Sequence, residues 1–223
     1  MPKTSISFRV PPSLWGAFKQ QTDRLFLTRA QFLDHMIGVE LPHLRNELEG
    51  IKLPSRTKRY ISGRLKYQSP ISVNIDVRAE TADALRDAVD AHNIVRDAFM
   101  CRLVIFLRCT KGLRDLLDIP DSIGDQALPS GLQSMPTSPL LAMEAVRDDP
   151  LFYVREHLLH THGQGIYMVD LPKELDWAAC HLPGERVPGT GAFNKATAQN
   201  KKLLKLLDLL PDATDGRRKG EQK

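Results

Sequence analysis

No apolar run in the 223 residues approaches the roughly 18 that a membrane-spanning helix needs, so a membrane protein of the helical kind is not expected. The first residues, MPKTSISF, pass straight into a patterned segment without the apolar stretch of an export signal. Cysteine is scarce: Cys101, Cys109 and Cys180 form no paired framework, and a reducing cytoplasm fits them. A glycine-rich phosphate loop, a serine elbow and a reactive-cysteine context are all missing, so the chain is expected to be no enzyme and to need no cofactor. Those absences turn attention from chemistry to binding.

What is present begins at residue 4. In SISFRV the side chains alternate, with Ile6, Phe8 and Val10 on one face and Ser5, Ser7 and Arg9 on the other, which predicts a strand. Pro11 and Pro12 end it and open a helix carrying Leu14, Phe18 and Leu25 at helical spacing, ending near Phe26. Thr28 followed by Gln31 reads as a capping box for a second helix with the stripe Phe32, Leu33, Met36 and Ile37. That helix is expected to yield at Pro42, with a further turn or two before Gly50. A lone strand of about six residues with two helices cannot bury a core unaided, so the unit needs a partner.

The partner lies 67 residues on. Residues 73–104 align without a gap under residues 6–37, placing Val73, Ile75 and Val77 under Ile6, Phe8 and Val10. Leu85 falls under Phe18, Ile94 under Leu27, and Leu103 and Val104 under Met36 and Ile37, with identities at Ala84, Asp90, Arg96 and Phe99. Apolar positions coincide throughout, which marks an internal repeat. The helix predicted over 96–118 is apolar around much of its circumference and should be covered on its back as well.

Strand, helix, turn and capped helix, twice over, resemble the ribbon-helix-helix fold of the MetJ/Arc superfamily of DNA-binding proteins. The resemblance implies a mainly α chain in which two such units form an intramolecular pseudo-dimer around a two-stranded antiparallel ribbon. It implies major-groove reading of double-stranded DNA by the outward strand side chains, here Ser5, Ser7 and Arg9 in the first unit and Ser72, Asn74 and Asp76 in the second. Arg9 suits guanine, Asn74 suits adenine, and Asp76 only accepts, as from cytosine N4. If Ser7 lies near Asn74, Arg9 falls beside Ser72 and Asp76 beside Ser5, so an asymmetric target is expected. Phosphate contacts carry over to the start of the second helix, at Thr28, Arg29 and Ala30, and to Val95, Arg96 and Asp97, where the hydroxyl is gone and the grip should be weaker.

Net charge is +4, unevenly placed. Residues 1–67 hold 12 Lys and Arg against 5 Asp and Glu, residues 68–120 hold 7 against 8, and the rest 12 against 14. Lys3 and the cluster Arg56, Lys58, Arg59, Arg64 and Lys66 contribute to the excess; Lys3, Arg56, Lys58 and Arg59 are candidate phosphate contacts, with a solvated charged face as the alternative.

The expected organisation is a first unit at 1–50, a basic connector at 51–70, a second unit at 71–119, a linker at 120–138, a helical region at 139–211 and a disordered tail at 212–223. Helices are predicted near 139–147, 150–161, 172–182 and 194–210, with a short strand in GIYMVDL. The helical region is expected to make the chain a homo-oligomer. His157, His160, His162, Cys180 and His181 cluster in sequence, but their spacing matches no metal motif, and structural or surface roles are expected over zinc. The reading is a sequence-specific transcriptional regulator. The alternatives are an accessory DNA-binding protein of a mobile element, for conjugation or partition, and an antitoxin-like autoregulator that binds a partner protein.

Overall fold

A computed structural model describes residues 2–120 and 148–207 and is mainly helical. β1 (Lys3–Val10), α1 (Pro12–Arg24) and α2 (Arg29–Glu47) come first, followed by α3 (Ser55–Lys66). β2 (Ile71–Arg78), α4 (Ala79–His92) and α5 (Arg96–Arg108) repeat the strand-helix-helix order, and α6 (Lys111–Leu116) follows. α7 (Phe152–His162), 3-10 turns at Lys173–Ala178 and Gly184–Arg186, and α8 (Gly191–Leu207) complete the described residues. Two compact units divide after Leu182: Met1–Leu182 and Pro183–Lys223.

Within the first unit β1 and β2 pair antiparallel as a two-stranded sheet. Ser7 stands opposite Asn74, Arg9 opposite Ser72, Ser5 opposite Asp76, and Lys3 opposite Arg78. The period of two sends Ile6, Phe8, Val10, Ile75 and Val77 into the core, where each is buried. Phe8 meets Trp15 edge-on at 5.9 Å between ring centroids, Trp15 lies 5.6 Å from Phe18, and Phe18 stacks on Phe32 at 6.5 Å. Leu33, Met36 and Ile37 of α2, with Phe99, Leu103 and Val104 of α5, are fully buried as the aligned stripes require.

Several elements differ from the sequence expectation. α2 does not yield at Pro42 but runs through it to Glu47. An interior proline costs a helix about 3 kcal/mol, and here Leu41, Leu44 and Leu48, all buried around it, offset that loss. Thr28 occupies the N-cap of α2 yet makes no side-chain cap hydrogen bond, so the capping box does not form. The helix expected over 96–118 is two helices. Cys109 turns left-handed at φ 35°, and the Thr110 hydroxyl caps α6 by accepting from Leu113 N at 3.4 Å. The connector over 51–70 is not open chain: α3 buries Thr57, Ile61 and Leu65.

GIYMVDL is a turn rather than a strand. Val169 N–H donates to Gly165 O at 2.9 Å, while the amides of Tyr167 and Met168 donate to Glu47 Oε2 at 2.7 and 3.1 Å. A Cβ at Gly165 would stand 2.2 Å from the Glu47 carboxylate, so any larger residue there would push that carboxylate off the amides it accepts. This turn covers the back of α5: Tyr167 stacks on Phe99 at 5.6 Å, and fully buried Arg102 donates to the carbonyls of Ile166 and, at 2.6 Å, Val169. The helix expected over 172–182 is the shorter 3-10 turn Lys173–Ala178. It rests on α3, where Tyr60 OH donates to Asp176 Oδ2 at 3.1 Å and Arg64 to Lys173 O at 3.3 Å. The helix expected over 150–161 is α7, and that over 194–210 is α8. The linker, the 139–147 helix and the polar tail fall almost wholly outside the described residues.

In the second unit Thr190 joins the 3-10 turn to α8, accepting from Phe193 N at 3.1 Å as its hydroxyl lies 2.6 Å from Gly184 O.

Candidate nucleic-acid interface

The outer face of the ribbon is polar because the inner face takes every alternate apolar residue. Ser5, Ser7, Ser72, Asn74 and Asp76 are exposed and Arg9 is half-exposed, so all six expected base-reading residues stand on one surface. Lys3 and Arg78 complete one end of it. Ser7 Oγ and Ser72 Oγ lie 3.1 Å apart across the strands and share a hydrogen bond.

The arginines at the two ends are held alike. Arg9 donates from its backbone N–H (3.2 Å) and from Nε (2.7 Å) to the two oxygens of Asp97, near the start of α5. Arg78 does the same toward Asp34 of α2, at 3.1 and 2.8 Å. Each strand is thereby fastened to the second helix of the opposite repeat. The carboxylates are nearly covered (10% and 15% side-chain exposure) while Arg9 and Arg78 keep 43% and 39%, so each guanidinium is anchored on one edge and wet on the other. Anchoring of this kind reduces the rotamer freedom lost when a planar group binds.

Sequence reasoning missed Arg78, Asp34 and the clamp made by Asp97. The repeat alignment lays Pro11 over Arg78, which hides it. The outward alternation Ser72, Asn74, Asp76 runs on to Arg78, and the lack of a proline before α4 was the signal available.

The expected phosphate contacts separate into groups. At the start of α2, Thr28 is exposed with its hydroxyl outside any cap, Ala30 is half-buried, and Arg29 pairs with Asp23. At the start of α5, Arg96 is exposed, Val95 is buried and Asp97 belongs to Arg9. Lys58 donates to Asn93 at 3.2 Å, and with Arg9 and Arg96 it borders an open cleft of about 520 Å³ beside β1. Arg56 and Arg59 are exposed on α3 and do not line that cleft.

The histidine and cysteine cluster is dispersed. His157 lies 3.3 Å from Thr161 Oγ1, His162 donates to Leu117 O at 3.0 Å, and His160 is exposed. Cys180 is buried, and that burial pushes its thiol up to about 12, away from the thiolate a metal needs. Burial holds His181 below the usual imidazole range, against a smaller upward pull from Asp170. Among the described residues no three His, Cys, Asp or Glu side chains converge as a metal ion requires.

Two of the buried charges, Glu40 and Arg155, lie instead between α2 and residues 149–169. Glu40 pairs with Arg155, accepts from Tyr167 OH at 2.8 Å, and Arg155 also donates to Asp149 at 2.9 Å. Burial raises Glu40 and Glu47 above the ordinary carboxylate range, opposed for Glu40 chiefly by Arg155 and for Glu47 by the two amides it accepts. Glu40, Arg155 and Tyr167 are closed to solvent, while Glu47 and Asp149 keep part of their surface exposed.

Among the described residues no helix is long and apolar enough to cross a membrane. No known protein family, curated protein or solved structure matches the chain.

Proposed function

We propose that the chain is a single-chain ribbon-helix-helix protein that lays its two-stranded ribbon in the major groove of double-stranded DNA and regulates transcription there. The carrying observation is the ribbon's outer face: eight polar side chains in register, with an anchored, half-exposed arginine toward each end. A two-stranded antiparallel ribbon is one of the shapes the major groove admits.

The two ends are unequal. Arg9 lies two residues from the central Ser7–Asn74 pair and Arg78 lies four, which at about 3.3 Å per residue puts them about 7 and 13 Å from it. Asp76 stands between Asn74 and Arg78 with no counterpart of its charge on β1. The target is accordingly a non-palindromic sequence bound in one orientation. Affinity comes mainly from the first repeat, with Arg29 and the open amides of α2 on one phosphate, and Lys3, Lys58 and Arg96 adding to the field. Self-association falls to the C-terminal region, where Phe152 and Leu159 of α7 are exposed.

Fluorescence anisotropy of the full chain on labelled duplexes tests the reading. Binding should fall steeply with salt, and Arg9→Ala should lose discrimination between a selected site and a random one while the fold stays intact. A salt-independent signal, or unchanged discrimination in Arg9→Ala, would contradict it.

A further inference from the structure

The turn between α1 and α2 and the turn between α4 and α5 close with the same hydrogen bonds. Leu27 N–H donates to Thr22 O at 3.0 Å and Phe26 N–H to Asp23 O at 3.2 Å. In the second repeat Ile94 N–H donates to Val89 O at 3.1 Å and Asn93 N–H to Asp90 O at 3.3 Å. This closure requires a left-handed residue after the helix, and φ is 55° at Phe26 and 51° at Asn93.

Asparagine suits that conformation, and Asn93 puts its side chain to use: Nδ2 donates to Leu53 O at 2.7 Å and Oδ1 accepts from Lys58 at 3.2 Å. Phenylalanine suits it poorly, and Phe26 is 96% exposed, so no packing among the described residues offsets the strain. Leu25 beside it is 59% exposed. A strained backbone and a solvated ring both count against the folded chain, and nothing among the described residues compensates for them.

The surroundings select the partner. Arg24 and Arg29 flank the ring in sequence against the single acid Asp23, so the turn is cationic and complements a polyanion. Three residues on, α2 opens with the amides and exposed Thr28 already assigned to a phosphate. We propose that Phe26 is a DNA contact whose ring packs on a deoxyribose beside the phosphate held at the start of α2. The inference rests on the duplex reading above and adds a contact to it. Sugar faces are common to all sequences, so this contact supplies affinity without base preference.

The test compares the full-length chain with Phe26→Asn and Phe26→Leu on a duplex that the wild type recovers from a randomised pool. Phe26→Asn should raise the thermal midpoint by about 2–4 °C, since asparagine accepts the left-handed turn. It should weaken binding about tenfold, leave base preference unchanged, and lose more affinity than Phe26→Leu. Wild-type affinity in Phe26→Asn overturns the proposal. So does unchanged affinity at one site with lost cooperativity on a duplex carrying two, which would make Phe26 a contact between copies. If the wild type recovers no duplex, the duplex reading fails and this inference with it; an unaffected variant sinks only the contact.

Discussion

Residues 3–47 and residues 71–108 follow the same order of strand, helix, turn and helix, yet they bury different amounts of themselves. α2 keeps an exposed side beside its buried stripe, whereas nine of the thirteen residues of α5 are buried. The first repeat carries a cationic turn, an open helix start and Arg9. The second has Asp97 at its helix start, buried Val95 in place of Thr28, and Asn93 in place of Phe26. The same topology thus leaves α2 an exposed side and encloses α5, because the turn at 165–169 covers the back of α5 through Tyr167 on Phe99 and Arg102 on Val169.

Phe32 and Phe99 occupy aligned positions and offer the sharpest contrast. Phe99 is fully buried and stacked on Tyr167, and Phe99→Ala should cost about 3–5 kcal/mol by chemical denaturation. Phe32 is half-buried, and Phe32→Ala should cost about half as much. Equal losses would mean that the second repeat is not the structural half.

The two arginine clamps come next. Asp97→Ala and Asp34→Ala should each lower stability by only about 1 kcal/mol, since both arginines are more than a third exposed and their ion pairs are screened. In duplex binding they should part: freeing Arg9 costs about five- to tenfold, and freeing Arg78 less, because Arg9 stands nearer the centre of the ribbon. If Asp34→Ala weakened binding more, the assignment of the leading role to the first strand would be reversed.

Much of this was legible in sequence, for physical reasons that differ by element. A period of two fixes which strand side chains face out, and the ungapped repeat places both strands and the four helices that follow them. Arg78 was not legible from the repeat, because its aligned residue is Pro11 and the strands end differently. The passage of α2 through Pro42 depends on burial around it, which a local signal lacks. The turn at 165–169 depends on Glu47, 120 residues from Tyr167 in the chain, so no pattern within GIYMVDL foretells it.

Smaller effects separate the two helix starts. Thr28→Ala should leave stability within about 0.5 kcal/mol of wild type, as its hydroxyl caps nothing. Val95→Thr should gain no more than about 1 kcal/mol from a new cap, less the apolar packing that a buried valine gives up. A large loss in Thr28→Ala would show that the capping box forms after all.

The smallest effect concerns pH. His181 is held neutral in the fold below its usual range, so its share of stability is present above about pH 6.5 and is lost as pH falls through the folded value. Urea unfolding between pH 7.5 and 5.5 should be flatter in His181→Asn than in wild type. A steeper profile in the variant would contradict the direction of the shift.

Whether the outer face of the ribbon reads DNA from one end more than the other is decided by selecting bound duplexes from a randomised pool, with the wild-type chain and with Arg9→Ala. The expected outcome is a non-palindromic motif whose guanine preference disappears in Arg9→Ala while the remaining positions persist. A palindromic motif, no enriched motif, or one untouched by the substitution would contradict the unequal ribbon.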